Sequence, residues 1–231
     1  MSETTLAYEE AAVVAAVQVE HPAQSRATAI ACRTLDVVVA SVALVLLSPL
    51  LLVVALWIRL DSRGPALFRQ ERRGRDMTPF VVNKFRTMHV NTPNDEHVAY
   101  VQSLIAGDAV RKQKLFKLVA DERVTRAGRI LRKSSIDELP QLINVLAGNM
   151  SLVGPRPCLD YELAKYPPHA FGRFAVKPGI TGLWQVSGRS QLSFDEMIAL
   201  DVEYATRPSF WADVRILLRT LPVALLGRGA A

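Results

Sequence analysis

The apolar positions of this chain fall into one long run followed by several short, periodic ones. From Val37 to Ile58 the sequence VVVASVALVLLSPLLLVVALWI carries no charge, and about 20 apolar residues suffice for a helix to cross the ~30 Å hydrocarbon core of a bilayer. Ser48-Pro49 near the middle complicates that reading, because proline cannot donate one backbone hydrogen bond and crowds the preceding turn. A break there leaves two legs of roughly 15 to 18 Å at ~1.5 Å per residue, about half the membrane depth. Such legs suit a helix-break-helix that enters and leaves by one face. The carbonyl freed at the bend needs a local partner, and the Ser48 hydroxyl is placed to supply one. Arg26 and Arg33 precede the run, and Arg59, Arg63, Arg69, Arg72, Arg73 and Arg75 follow it, so both flanks have the basic character of cytoplasmic ends. From the residues alone, a re-entrant hairpin bent at Ser48 and Pro49 and a kinked span both fit, ahead of a buried core helix.

Beyond this run the period shortens. Residues 66–70 and 80–86 are β-prone and are joined by Arg72-Arg73-Gly74-Arg75-Asp76, which predicts a hairpin. Alternation along its second strand puts Lys84 and Arg86 on one face, directed at something anionic or simply at solvent. The polar stretch from Asn91 to Asp121 predicts helix between His97 and Val119 with a break near Gly107. Arg123 to Arg132 reads as a helix, and Gln141 to Leu146 as a short one stopped by Gly148. Trp211 to Leu226 has a wide apolar face interrupted by Asp213, Arg215 and Arg219 and closes with Pro222 and Gly227. It reads as a core helix or as one lying along a membrane surface. The expected organisation is an unstructured tail over 1–32, a membrane hairpin over 33–62 and one compact domain over 63–231, α+β but mostly helical.

Charge narrows the partners. The formal net charge of +6 over 231 residues favours acidic lipid, nucleotide phosphates or nucleic acid. Nucleic acid is set aside, because no recognised binding motif appears and the basic residues are spread through loops. Cys32 and Cys158 are the only cysteines, without metal-type spacing or a disulfide framework. His21, His89, His97 and His169 are scattered and read as surface or linker positions. The start of the chain, with Glu3, Glu9 and Glu10, lacks the basic region of a secretory signal, so no cleaved leader is expected. Ala29-Ile30-Ala31-Cys32 faintly resembles a lipidation box, but the apolar run follows the cysteine instead of preceding it.

The richest chemistry lies in Arg132-Lys133-Ser134-Ser135-Ile136-Asp137-Glu138-Leu139-Pro140-Gln141-Leu142. Proline is best tolerated in the first turn of a helix, so Pro140 sets a helix start close to Asp137 and Glu138. Free amides and partial positive charge at such an end stabilise carboxylates and can receive a phosphate. Ser135-Ile136-Asp137-Glu138 also has the form of a capping box, which would make the pair merely structural. Downstream, Gly154-Pro155-Arg156-Pro157 mounts one arginine stiffly between two prolines, lowering the entropy cost of aiming it at phosphate. Lys177-Pro178-Gly179-Ile180-Thr181-Gly182-Leu183-Trp184-Gln185 with Gly188-Arg189 is a second basic, glycine-rich region where backbone can approach a ligand. Each loop alone could be only a turn.

Taken in order, these pieces resemble the bacterial sugar transferases, the monotopic polyprenyl-phosphate phosphoglycosyl transferases of the exopolysaccharide-initiating type. The matching landmarks are Arg33-Thr34-Leu35-Asp36, Ser48-Pro49, Phe68-Arg69-Gln70-Glu71-Arg72, Lys84-Phe85-Arg86-Thr87-Met88 and Leu131 through Gln141. They continue with Met150 through Pro157, Lys177 through Gly182 and Leu200-Asp201, so that the resemblance runs from Arg33 to about Leu221. It implies a re-entrant membrane helix and a catalytic domain on the cytoplasmic face of the bacterial inner membrane, with amphipathic interfacial helices. It also implies a covalent mechanism in which Asp137 attacks the β-phosphate of a UDP-sugar and releases UMP. Glu138 would help hold Mg²⁺, and polyprenyl phosphate would then take the phosphosugar. Lys84, Arg86, Arg132, Arg156, Arg189 and Asp201 are the implied phosphate- and substrate-binding residues, and a positive field there lets a carboxylate attack a phosphate. Acidic lipid is an implied partner, nucleic acid is not, and a homodimer is left open.

The segment from Gly182 to Arg189 is similar to members handling galactose or glucose. Cys32 stands where a lysine commonly precedes the arginine, and Asn149 where an aspartate is usual; neither touches the Asp-Glu pair. The chain looks like the catalytic portion of larger relatives. A non-catalytic membrane-anchored adaptor with a basic face would also fit the charge, but it would not need adjacent carboxylates beside arginines. An aspartyl-phosphate phosphatase lacks its familiar Asp-x-Asp arrangement here.

Overall fold

A computed structural model describes residues 19–90, 98, 121–163 and 166–225; the helix expected between His97 and Val119 lies outside the described residues, save for position 98. The first element, α1 (Arg26–Asp61), is a 36-residue helix whose N-cap, Ser25, accepts from the Thr28 amide at 3.1 Å. It starts inside the stretch expected to be an unstructured tail. Residues before it also dock: Val19 packs on the aromatic core, and His21 Nε2 lies 3.2 Å from the Asp76 carboxylate.

The helix runs unbroken through Pro49, where an interruption between two legs was expected. Proline at 49 cannot donate to the carbonyl four residues back, that of Val45. Ser48 Oγ donates to that oxygen at 2.8 Å, so the acceptor is served and the helix need not unwind. Asp36, Ala40, Val54 and Ile58 are buried, whereas Val45 and Leu46 between them are 72% and 73% exposed. Both ends of α1 therefore dock while its middle stands clear. Only 11% of its most apolar window is buried inside the molecule, which removes the core-helix reading.

The expected hairpin forms between β1 (Leu67–Arg73) and β2 (Pro79–Phe85). The strands are antiparallel, pairing Phe68 with Lys84 and Arg72 with Phe80. Val82 and Phe85 are buried and carry the hairpin onto two apolar clusters, one with Leu142, Val145 and Met150, the other with Val54, Ile58 and Leu131. Next come α2 (Arg126–Ser134) and α3 (Gln141–Ala147). Gly148 closes α3 with φ 85°, a left-handed conformation that glycine adopts at little cost.

A short parallel pair, β3 (Ser151–Val153) and β4 (Gly179–Thr181), follows. It joins the two glycine-rich loops: the Gly154 amide donates to the Thr181 carbonyl and the Gly179 amide to that of Pro155, both at 2.9 Å. A Cβ on Gly154 or Gly179 would strike the main chain of the other loop. These glycines serve a backbone-to-backbone contact, not the approach of a ligand.

The remaining helices are α4 (Asp160–Leu163), α5 (Leu183–Ser187), α6 (Phe194–Thr206) and α7 (Phe210–Leu225). A cluster including Tyr166, Phe171, Phe174, Trp184 and Met197 fills the space between α4, α5, α6 and the 3-10 segment Pro168–Ala175. Helix α7 continues past Pro222 and has two faces: Ile216 is buried, while Trp211, Leu218 and Leu221 are at least 60% exposed.

Candidate active site

The carboxylate pair sits on a tight turn between α2 and α3. Helix α2 ends at Ser135, whose φ of 58° is left-handed, and the chain turns at once into a 3-10 segment, Ile136–Glu138. The Glu138 amide donates to the Ser135 carbonyl and the Leu139 amide to that of Ile136, each at 3.2 Å. Pro140 then directly precedes Gln141, the first residue of α3. The capping-box reading fails here: an N-cap residue has extended backbone, whereas Ser135 is left-handed and its side chain makes no capping bond. A capping box is formed instead at α6, where the Ser193 amide donates to Glu196 Oε2 at 2.7 Å and the Glu196 amide to Ser193 Oγ at 3.2 Å.

Three cations from separate elements bear on the pair, Lys84 by direct contact and Arg132 and Arg189 through the field of its charges. Lys84 of β2 places Nζ 3.3 Å from Glu138 Oε1, both side chains about one-third exposed or less. Arg132 lies in the last turn of α2. Burial pushes its guanidinium pKa below the ordinary range, and the negative charge of Asp137, then that of Asp121, opposes the shift. Burial also lowers that of Arg189, opposed by Glu138. Arg189, at φ 50°, opens the turn after α5 and donates through Nε to the Gln185 carbonyl at 3.1 Å.

Both helices flanking the pair are tied to α1. At the start of α2 the Ala127 amide donates to Asp61 Oδ2 at 3.1 Å. At the end of α3 Arg33 donates to the carbonyls of Val145 and Leu146 at 2.6 and 2.9 Å, satisfying acceptors that a helix end leaves open. Asp36 accepts from the Leu152 amide at 2.8 Å and the Ser151 hydroxyl at 3.0 Å.

Two other expected binding residues, Arg86 and Asp201, are taken up by interior contacts. Arg86 is 4% exposed and donates to the carbonyl of Ser62 at 2.8 Å and to that of Arg63, closing the end of α1. The strand stops at Phe85, so alternation no longer aims the next side chain outward. Asp201 is 1% exposed and pairs with Arg173 at 2.6 Å, an interior ion pair and not an open binding group. Arg156 pairs with Glu162 at 3.3 Å and, with Arg73 and Arg173, lines a small surface pocket. Sequence reasoning singled out neither Glu162 nor Arg173. Charges spaced like surface residues give no sign of burial; the one hint is that Arg173 sits between Phe171 and Phe174.

Among the described residues, no group of three or more His, Cys, Asp and Glu could hold a metal ion. A pair of adjacent carboxylates nonetheless suits Mg²⁺, which commonly takes one or two carboxylates together with waters and substrate phosphates instead of a preformed cage.

Comparison with known proteins gives consistent matches. Residues 27–227 match the model of a family described as bacterial sugar transferase. The chain is 44% identical over 202 residues to the galactosyl transferase CpsE of Streptococcus agalactiae, covering 87% of this chain and 43% of that protein. It is 46% identical over 202 residues to the UDP-glucose:undecaprenyl-phosphate glucose-1-phosphate transferase of Caulobacter vibrioides, covering 84% and 69% respectively. With the exopolysaccharide production protein ExoY of Rhizobium meliloti it shares 40% identity over 199 residues, 86% of this chain and 87% of that one. The chain thus spans less than half of the first of these relatives and most of the last.

Proposed function

Because the chain belongs to the bacterial sugar transferase family, we propose that it moves sugar-1-phosphate from a UDP-sugar to polyprenyl phosphate and releases UMP, the first membrane step of exopolysaccharide synthesis. The observation that carries this reading is the half-buried Asp137-Glu138 pair on a tight turn, in contact with Lys84 and within the field of Arg132 and Arg189. A purely structural turn gains nothing from concentrating three cations there, whereas transfer between two anionic phosphates requires it.

An Asp137 carboxylate oxygen attacks the β-phosphorus, and the bond from that phosphorus to the oxygen bridging the α-phosphate breaks. The electron pair leaves on UMP, and the sugar-phosphate is held as an acyl phosphate on Asp137. An oxygen of polyprenyl phosphate then attacks the same phosphorus, the acyl phosphate bond breaks, and the Asp137 carboxylate returns. Arg132 lowers the repulsion between Asp137 and the incoming diphosphate, while Lys84 and Arg189 do so beside Glu138. Glu138 would be the residue to hold a Mg²⁺, which would supply further neutralisation of the phosphates.

The exposed apolar middle of α1 supports anchoring in the inner membrane, and the docking of both its ends on the catalytic domain supports a continuous helix that enters and leaves by the cytoplasmic face. There a lipid phosphate and a soluble nucleotide can both reach the turn. Relatives are named for both glucose and galactose, so UDP-glucose and UDP-galactose are the donors to test first. Purified protein in lipid nanodiscs with polyprenyl phosphate and Mg²⁺ is expected to release UMP from one of them and to stop on chelation. No UMP from any UDP-sugar would overturn the reading.

A further inference from the structure

Behind the Gly154-Pro155-Arg156-Pro157 loop lies a buried charge network that the chemistry above does not use. Glu162 of α4 is 0% exposed. Its carboxylate receives Arg156 Nη1 at 3.3 and 3.4 Å, the Leu159 amide at 3.1 Å and the Tyr166 hydroxyl at 3.4 Å. Arg173 donates to the Tyr166 oxygen at 2.6 Å, to the Arg156 carbonyl at 2.8 Å and to Asp201 at 2.6 Å. Arg72 donates to the Pro157 carbonyl at 3.0 Å.

Arg156 is thus gripped three ways: Arg173 holds its carbonyl, Arg72 holds the next carbonyl, and Glu162 holds its guanidinium. Its side chain is 22% exposed while that of Glu162 is fully sealed. Burial works against ionisation of Glu162, but Arg156, and after it Arg72, keep its carboxyl below the ordinary range, so the grip is charged near neutral pH. Buried ion pairs seldom stabilise a fold more than apolar packing would. What this one supplies is a single geometry for one partly exposed planar donor.

We infer that Glu162 is a positioning residue that fixes the Arg156 guanidinium so that a substrate phosphate meets a pre-aimed bidentate donor, with the Arg173–Asp201 pair serving the same end through the Arg156 main chain. This rests on the reading that the site handles phosphorylated substrates. A planar fork gains specificity for phosphate only if its orientation is set beforehand.

The test is a double-mutant cycle on UMP release. Glu162→Gln keeps the size of the side chain and its acceptor for the Leu159 amide, and replaces the charged oxygen that grips Arg156 with an uncharged N–H donor. It is expected to lower kcat/KM by about tenfold to a hundredfold, the range for groups that orient a functional side chain, with Glu162→Asp retaining more. Arg156→Ala should lose at least as much. In that background Glu162→Gln should cost nothing further, because coupled residues are non-additive. If Glu162→Gln does not fold, Tyr166→Phe, which removes only the hydroxyl bridging Glu162 and Arg173, should show the same non-additivity with a smaller loss. Equal fold-losses of either variant in both backgrounds, or wild-type kcat/KM in Arg156→Ala, would overturn the inference while leaving the transferase reading intact. Failure of that reading shows elsewhere, as wild-type protein that releases no UMP from any UDP-sugar, and it overturns both.

Discussion

Lys84 and Arg86 are near neighbours of like charge on one stretch of chain, yet they do opposite work. Lys84 reaches Glu138, whereas Arg86 turns inward to the carbonyls that end α1. A buried carbonyl left without its donor costs about 1–3 kcal/mol. Arg86→Met should therefore destabilise the protein by about that amount or more, read as a lower thermal midpoint, with the turnover of the folded fraction largely preserved. Lys84→Met should do the reverse, leaving the midpoint near wild type and lowering kcat/KM. A loss of turnover without loss of stability in Arg86→Met would return that residue to the binding site. Alternation is a valid rule inside a strand, and it misplaced Arg86 because the strand ends one residue earlier.

At the scale of elements, the hairpin, the short helix α3 and its glycine stop are legible in the sequence, since each depends on local period and on a φ that few residues tolerate. Ser48 as the partner of the carbonyl that Pro49 abandons is equally local, and the bond is present. Less legible are features set by distant chain: the left-handed Ser135 that cancels the capping box, and the backbone contact that the two glycine loops make with each other. The path of α1 in the bilayer has its own test. With Cys32 and Cys158 replaced, single cysteines at Thr28 and Arg63 are expected to be labelled only from the cytoplasmic side. Labelling of position 28 from outside would establish a span and contradict the re-entrant arrangement.

For the whole molecule, the informative relation is between α1 and the turn that carries the carboxylates. Asp61 holds the start of α2 and Arg33 the end of α3, so the element suited to the membrane braces both helices that flank Asp137 and Glu138. The pair itself, Lys84, Arg132 and Arg189 could be nominated from sequence only through the family resemblance, because the residues alone fit a capping box as well. The buried Glu162–Arg173 network could not, because its meaning depends on burial. The proposed mechanism puts the phosphosugar on Asp137, and its most direct measurement is the intact mass of the protein after incubation with UDP-glucose or UDP-galactose and Mg²⁺ in the absence of lipid acceptor. The expected result is a gain of a single hexose phosphate, mapped to Asp137, absent in a folded Asp137→Asn variant and discharged by polyprenyl phosphate. Wild-type protein that turns over with both substrates present, yet shows neither the adduct nor exchange of UMP into the UDP-sugar, would contradict it.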